Sequence, residues 1–159
     1  MSVSTRTAGT LRRRQTHFAS KHVFTWMDKV DAKGKSLLAK SAPRLQGLPI
    51  ELRSYGLSVV LATLLREGRD ESKAIAACLA EWLLDESPLE LLNGPRATDP
   101  ESYKPVELLR QVVDADRETY SALQSDAMGL TEQLKLLSGA ITAALETGGG
   151  EKDDQGDES

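Results

Sequence analysis

The stretch from Gly47 to Glu67, GLPIELRSYGLSVVLATLLRE, carries the longest nearly uninterrupted apolar run in the chain. At 100° per residue, Ile50, Leu57, Val60, Leu61 and Leu64 share one helical face, while Val59 and Ala62 point the other way. A helix apolar on almost every side has to be covered by neighbours, so this segment predicts a central, buried helix. Pro49 suits a first turn, where its missing N–H is not needed. Gly56 costs about 1 kcal/mol against alanine inside a helix; it predicts either close approach of another backbone or a break between a short leading helix and the main one.

A buried helix needs other helices around it, and the rest of the chain supplies them. No run alternates with the two-residue period of a strand, and only seven of 159 residues are aromatic, against many Leu and Ala. The expected fold is all-α: a compact single-domain bundle of about five to six helices spanning residues 11–146, with a flexible N-terminus at 1–10 and a disordered acidic tail at 147–159. The single cysteine, Cys78, rules out an internal disulfide and favours a reducing compartment. No apolar segment approaches the roughly 18 residues that span a bilayer, so a cytoplasmic protein without membrane contact is expected.

The net charge of −4 conceals a division by sign. Residues 1–50 hold ten Lys or Arg and two Asp, +8; residues 51–145 carry −7, and residues 146–159 carry −5. A basic segment on an acidic chain points to an anionic partner, nucleic acid first, although a solvated arm has the same composition.

Helix 1 is expected over Leu11 to Ala32, with Ala19, Val23, Trp26, Met27 and Val30 facing the core. Arg14, His17 and Lys21 form a basic ridge on the opposite side, flanked by Arg13. Phe18 lies beside Arg14 there; it could stack on a base, enter a partner, or be covered by its own chain. A second basic piece from Gly34 to Gln46 offers Lys35, Lys40 and Arg44, and Pro43 should end or kink it. The helical phase puts Arg53 among Ile50, Leu57, Val60 and Leu64, where its guanidinium must snorkel, cap a neighbouring helix, or meet a phosphate or partner subunit. Asp70 to Asp85 predicts a further helix with Ile75, Cys78, Leu79, Trp82 and Leu83 inward, so Cys78 reads as packing. Ser87 to Pro105 contains four prolines and predicts a long connection with one helical turn at Leu89–Leu92. Helical period returns from Val106 through Leu145, with Gly129 as a candidate break. The acidic tail could compete with nucleic acid for the basic ridge or serve only as a solubilising end.

Sites of known chemistry are missing from the pattern. His17 and His22 are five apart and do not share a helix face, and no HExxH, CxxC, Walker A, GxGxxG or GxSxG spacing occurs. No catalytic residue, metal ligand or cofactor is expected. The candidate nucleic-acid-binding residues are Arg13, Arg14, Lys21, Lys40, Arg44 and Arg53.

The run Leu38 to Gly68, LAKSAPRLQGLPIELRSYGLSVVLATLLREG, resembles the signature region of the small subunit of Cmr-type, type III-B, CRISPR effector complexes. Leu48-Pro49, Ile50, Gly56-Leu57, Leu61-Ala62 and Arg66 occupy that family's pattern, and Tyr120, Leu123, Asp126, Ala127 and Lys135 look like its closing helix. The similarity covers roughly Lys21 to Ala144. The last helix departs from the family in offering Leu and Ile where aromatics are usual. The resemblance implies a non-catalytic, all-α subunit stacked along the interior of an RNA-guided complex in antiviral defence. Its implied partners are Cmr backbone subunits, neighbouring copies of itself, the guide RNA and single-stranded target RNA. A helical adaptor that binds a protein partner only is the alternative; a DNA-binding regulator lacks a polar recognition helix.

Overall fold

The computed structural model describes residues 2–92 and 103–156, with side chains from 9 to 148 among them; the middle of the expected long connection, and the end of the expected tail, lie outside the described residues. Among the described residues there are six α-helices: α1 (Ser2–Asp28), α2 (Leu37–Tyr55), α3 (Leu57–Glu67), α4 (Asp70–Glu81), α5 (Lys104–Asp114) and α6 (Arg117–Gly156). α4 runs on into a π-helical turn, Trp82–Glu86. α6 packs lengthwise against α1 and α2, and α4 lies against α2, α3 and α5. The helix bounds extend beyond the expected bundle at both ends. Where their side chains are described, Gly9 and Thr10 are exposed, as is each residue from Ala143 to Gly148.

The apolar run at residues 47–67 is divided between two helices. α2 starts at Ser36, whose Oγ accepts from Ala39 N–H at 3.1 Å, and continues through both Pro43 and Pro49. An interior proline costs a helix about 3 kcal/mol. Here the cost is offset by the buried face formed by Leu38, Ala42, Leu45, Leu48, Pro49 and Leu52. Gly56 then breaks the chain at φ 87°, ψ 162°, a conformation that only glycine adopts readily. A Cβ at Gly56 would also stand 2.7 Å from Tyr120 Oη, so the reading as a break holds, while what approaches closely is a side-chain hydroxyl and not another backbone.

The break resets the helical phase, which corrects several expectations. Leu57, Val60, Leu61 and Leu64 of α3 are buried, but Ile50 of α2 is 62% exposed, and Val59 and Ala62 face outward. Arg53 is exposed beside Ile50, away from the core leucines. Gly129 does not interrupt α6, and Leu145 and Val113 are exposed. Where a helical turn was expected at Leu89–Leu92, a reverse turn forms, with Glu90 N–H donating to Ser87 O and Glu90 at φ 46°. Asp116 caps α6 by accepting from Thr119 N–H at 2.7 Å.

Candidate nucleic-acid interface

Because α1 buries Gln15, Phe18, Ala19, Val23 and Trp26, its opposite side must carry Arg13, Arg14, His17 and Lys21, and all four are exposed. The π-helical turn after α4 lies beside this ridge. Between them is a groove of about 460 Å³ lined by Thr10, Arg13, Arg14, His17, Phe18, Lys21, Trp82 and Glu86. The floor is aromatic. Phe18 is only 8% exposed, with its ring 5.1 Å from Trp82 and 4.6 Å from His22, so the chain itself covers it. The rim carries three cations and one acid, Glu86.

Trp82 is held from behind by a buried polar cluster. Its Nε1–H donates to Asp126 Oδ1 at 3.0 Å, Gln15 Nε2 donates to the same oxygen at 2.9 Å, and Ser87 Oγ donates to Oδ2 at 2.6 Å. The Asp126 carboxyl thus ties α1, α6, the π-helical turn and Ser87 together. The turn itself closes with Ser87 N–H donating to Trp82 O at 2.7 Å. The result is an anchored aromatic floor under an exposed, charged rim.

Past one more turn of α1, His22 Nε2–H donates to Glu81 Oε2 at 3.2 Å. Burial lowers the His22 pKa below 6.5; Glu81 opposes that shift, and Lys29 and Lys21 add to it. Beyond this bridge lies a second groove of about 470 Å³, lined by Lys29, Val30, Asp31, Lys35, Leu37, Lys40, Asp70, Lys73, Ala74, Ala77 and Tyr103. Its loop is tightly built. Asp31 Oδ1 accepts from Lys33 and Lys35 N–H, both at 2.9 Å, and Gly34 supplies the turn at φ 83°.

The six residues singled out from the sequence therefore occupy different places. Arg13, Arg14 and Lys21 share the first groove. Lys40 lines the second, with its ammonium 2.6 Å from Asp31; hydrogen bonding to Asp31 raises its pKa and the same bond depresses that of Asp31. Arg44 is held elsewhere, between Glu51 and Glu67, the latter at 3.2 Å. Burial alone would raise the Glu67 pKa, but the bonds from Ser72 and Arg44 outweigh it and bring it down. Arg53 lines neither groove.

Sequence reasoning missed Trp82 and Tyr103 as groove residues. It also missed Asp126 as the anchor, because only folding brings Gln15, Trp82 and Ser87 to it. Lys29 was within reach: eight residues beyond Lys21, it lies about 80° round the same helix. Cys78 is fully buried, and burial pushes its thiol pKa up, so it acts as packing. Among the described residues no three His, Cys, Asp or Glu side chains stand together as a metal site, and no helix is long and apolar enough to cross a membrane.

These features define a small all-α protein with two cation-lined grooves beside one long helix. The chain belongs to the family described as CRISPR-associated protein (Cas_Cmr5), whose model matches residues 14–141, and it is thus a Cmr-type CRISPR-associated small subunit. No curated protein and no solved structure matches it significantly.

Proposed function

We infer that the chain is the non-catalytic small subunit of a type III-B effector complex, acting in the cytoplasm in antiviral defence. Copies stack along the complex interior beside the Cmr backbone subunits and touch target RNA, or its duplex with the guide, through α1. The observation that carries this reading is the convergence of Arg13, Arg14, His17 and Lys21 over the Phe18–Trp82 floor. Cations on a groove rim neutralise phosphates without reading sequence. That suits a complex whose specificity comes from guide base pairing. Binding by one copy is weak and steeply salt-dependent, and multivalency in the assembly strengthens it.

The test is single-stranded RNA binding across a salt series by the wild type and by R13E/R14E/K21E. A lost affinity and a shallower salt slope, with helix content unchanged, support the reading. Unchanged binding removes RNA contact through α1. The alternative, an adaptor for protein alone, draws on exposed Ile50, Tyr55 and Val59 around α2 and α3. It predicts co-purification with a protein partner and no RNA.

A further inference from the structure

The second groove has no part in the function inferred above, yet it adjoins the first. α1 and α4 run antiparallel: Phe18 meets Trp82, His22 meets Glu81, and Lys29 lines the same groove as Lys73 and Ala77 of α4. Lys21, on the rim of the first groove, and Lys29, on the second, are eight residues apart, or about 12 Å along the helix axis. Both lysines act electrostatically on His22. The two grooves therefore follow one another along the α1–α4 seam, with the His22–Glu81 pair between them.

The second end is equipped for an anionic, stacking ligand. Lys29, Lys35 and Lys73 are exposed, and Tyr103 is 48% exposed at the start of α5. Its acids compete only in part. Asp31 is occupied by Lys40 and by two backbone N–H groups, which leaves Asp70 as the remaining carboxylate.

We propose that the seam acts as one channel and that a single RNA strand runs its length, from the Arg13–Lys21 rim across the His22–Glu81 bridge to Lys29, Lys35 and Lys73, with a base stacked on Tyr103. This rests on the inferred RNA contact of α1 and extends it to a second site. Cations lining a groove beside an exposed aromatic are how non-specific single-strand sites track a backbone. The midway Glu81 carboxylate is an unfavourable charge on the path, with Glu86 and Asp70 at its two ends.

The experiment compares RNAs of about 4 and about 16 nucleotides, binding to the wild type, R13E/R14E/K21E and K29E/K35E/K73E. On the long strand each variant is expected to lose about tenfold or more at low salt, and the log–log salt slope to fall by about 2. The short strand should lose much less with either variant, since the other groove remains. E81Q should tighten the long strand a few-fold and leave the short one unchanged. The lysines are exposed, and K29A/K35A/K73A repeats the comparison if charge reversal disturbs the helix content. Loss of long-strand binding in R13E/R14E/K21E but not in K29E/K35E/K73E overturns the channel and keeps the α1 contact. Unchanged binding in both variants overturns both readings. Loss of partner-subunit association in K29E/K35E/K73E, with RNA binding intact, makes the second groove a protein dock and overturns the proposal.

Discussion

Trp82 donates its indole N–H to Asp126 at 3.0 Å, although the two lie 44 residues apart, and Asp126 is only 2% exposed. This bond sets the floor of the first groove. D126A leaves the donors of Gln15, Trp82 and Ser87 buried without their shared acceptor. Since each orphaned group costs about 1–3 kcal/mol, the expected loss is about 3 kcal/mol or more in urea unfolding. D126N is expected to cost about 1 kcal/mol, because its amide oxygen still accepts from Gln15 and Trp82 while Ser87 can turn to accept from the amide N–H. Equal losses for the two variants would show that the site depends on charge and not on hydrogen bonding.

Gly129 of α6 faces Gln15. An added Cβ would lie 2.7 Å from Gln15 Nε2, which Asp126 holds in place. G129A should therefore destabilise by about 1–3 kcal/mol despite alanine's better helix propensity. In a Q15A background the clash disappears, and the same change should be neutral or stabilise by up to about 1 kcal/mol. A double-mutant cycle by chemical denaturation measures the difference.

Arg44 is a structural cation. Its guanidinium is clamped by Glu51 and Glu67, and its Nε is buried without a partner. R44M should cost about 2 kcal/mol by leaving the two carboxylates unneutralised, and R44E more. Partial recovery in R44M/E67Q would localise the loss to the clamp. A change in RNA binding by R44E then reports stability and not contact.

The His22 pKa lies below 6.5 in the fold, chiefly through burial. As pH falls through about 6.5, the unfolded chain takes up the proton first, so acid favours unfolding until the lower folded pKa is passed. The melting temperature should fall on acidification across that window, and H22F should show a smaller fall. Identical slopes for H22F and wild type would assign the acid sensitivity to other groups.

The family resemblance, the all-α class and most of the buried positions were legible in the sequence, because helical period is local and the apolar stripes of α1, α3 and α4 repeat within a few turns. Gly68 ends α3 in the left-handed conformation that glycine tolerates. Phase did not carry across Gly56. A rotation at one residue turned Ile50 and Arg53 to solvent, and no periodicity upstream or downstream records it.

What the sequence by itself determined was the opposition of a basic first third and an acidic remainder, and the ridge of Arg14, His17 and Lys21, since charge and helix phase need no partner. Tertiary structure alone decided which cations are free. Lys40 and Arg44 looked equivalent to Lys21 in composition, but folding brought Asp31, Glu51 and Glu67 to them. It also built the grooves, because a groove requires two elements. Phe18 on α1 and Trp82 after α4 are 64 positions apart, and only packing around the buried Asp126 brings them together.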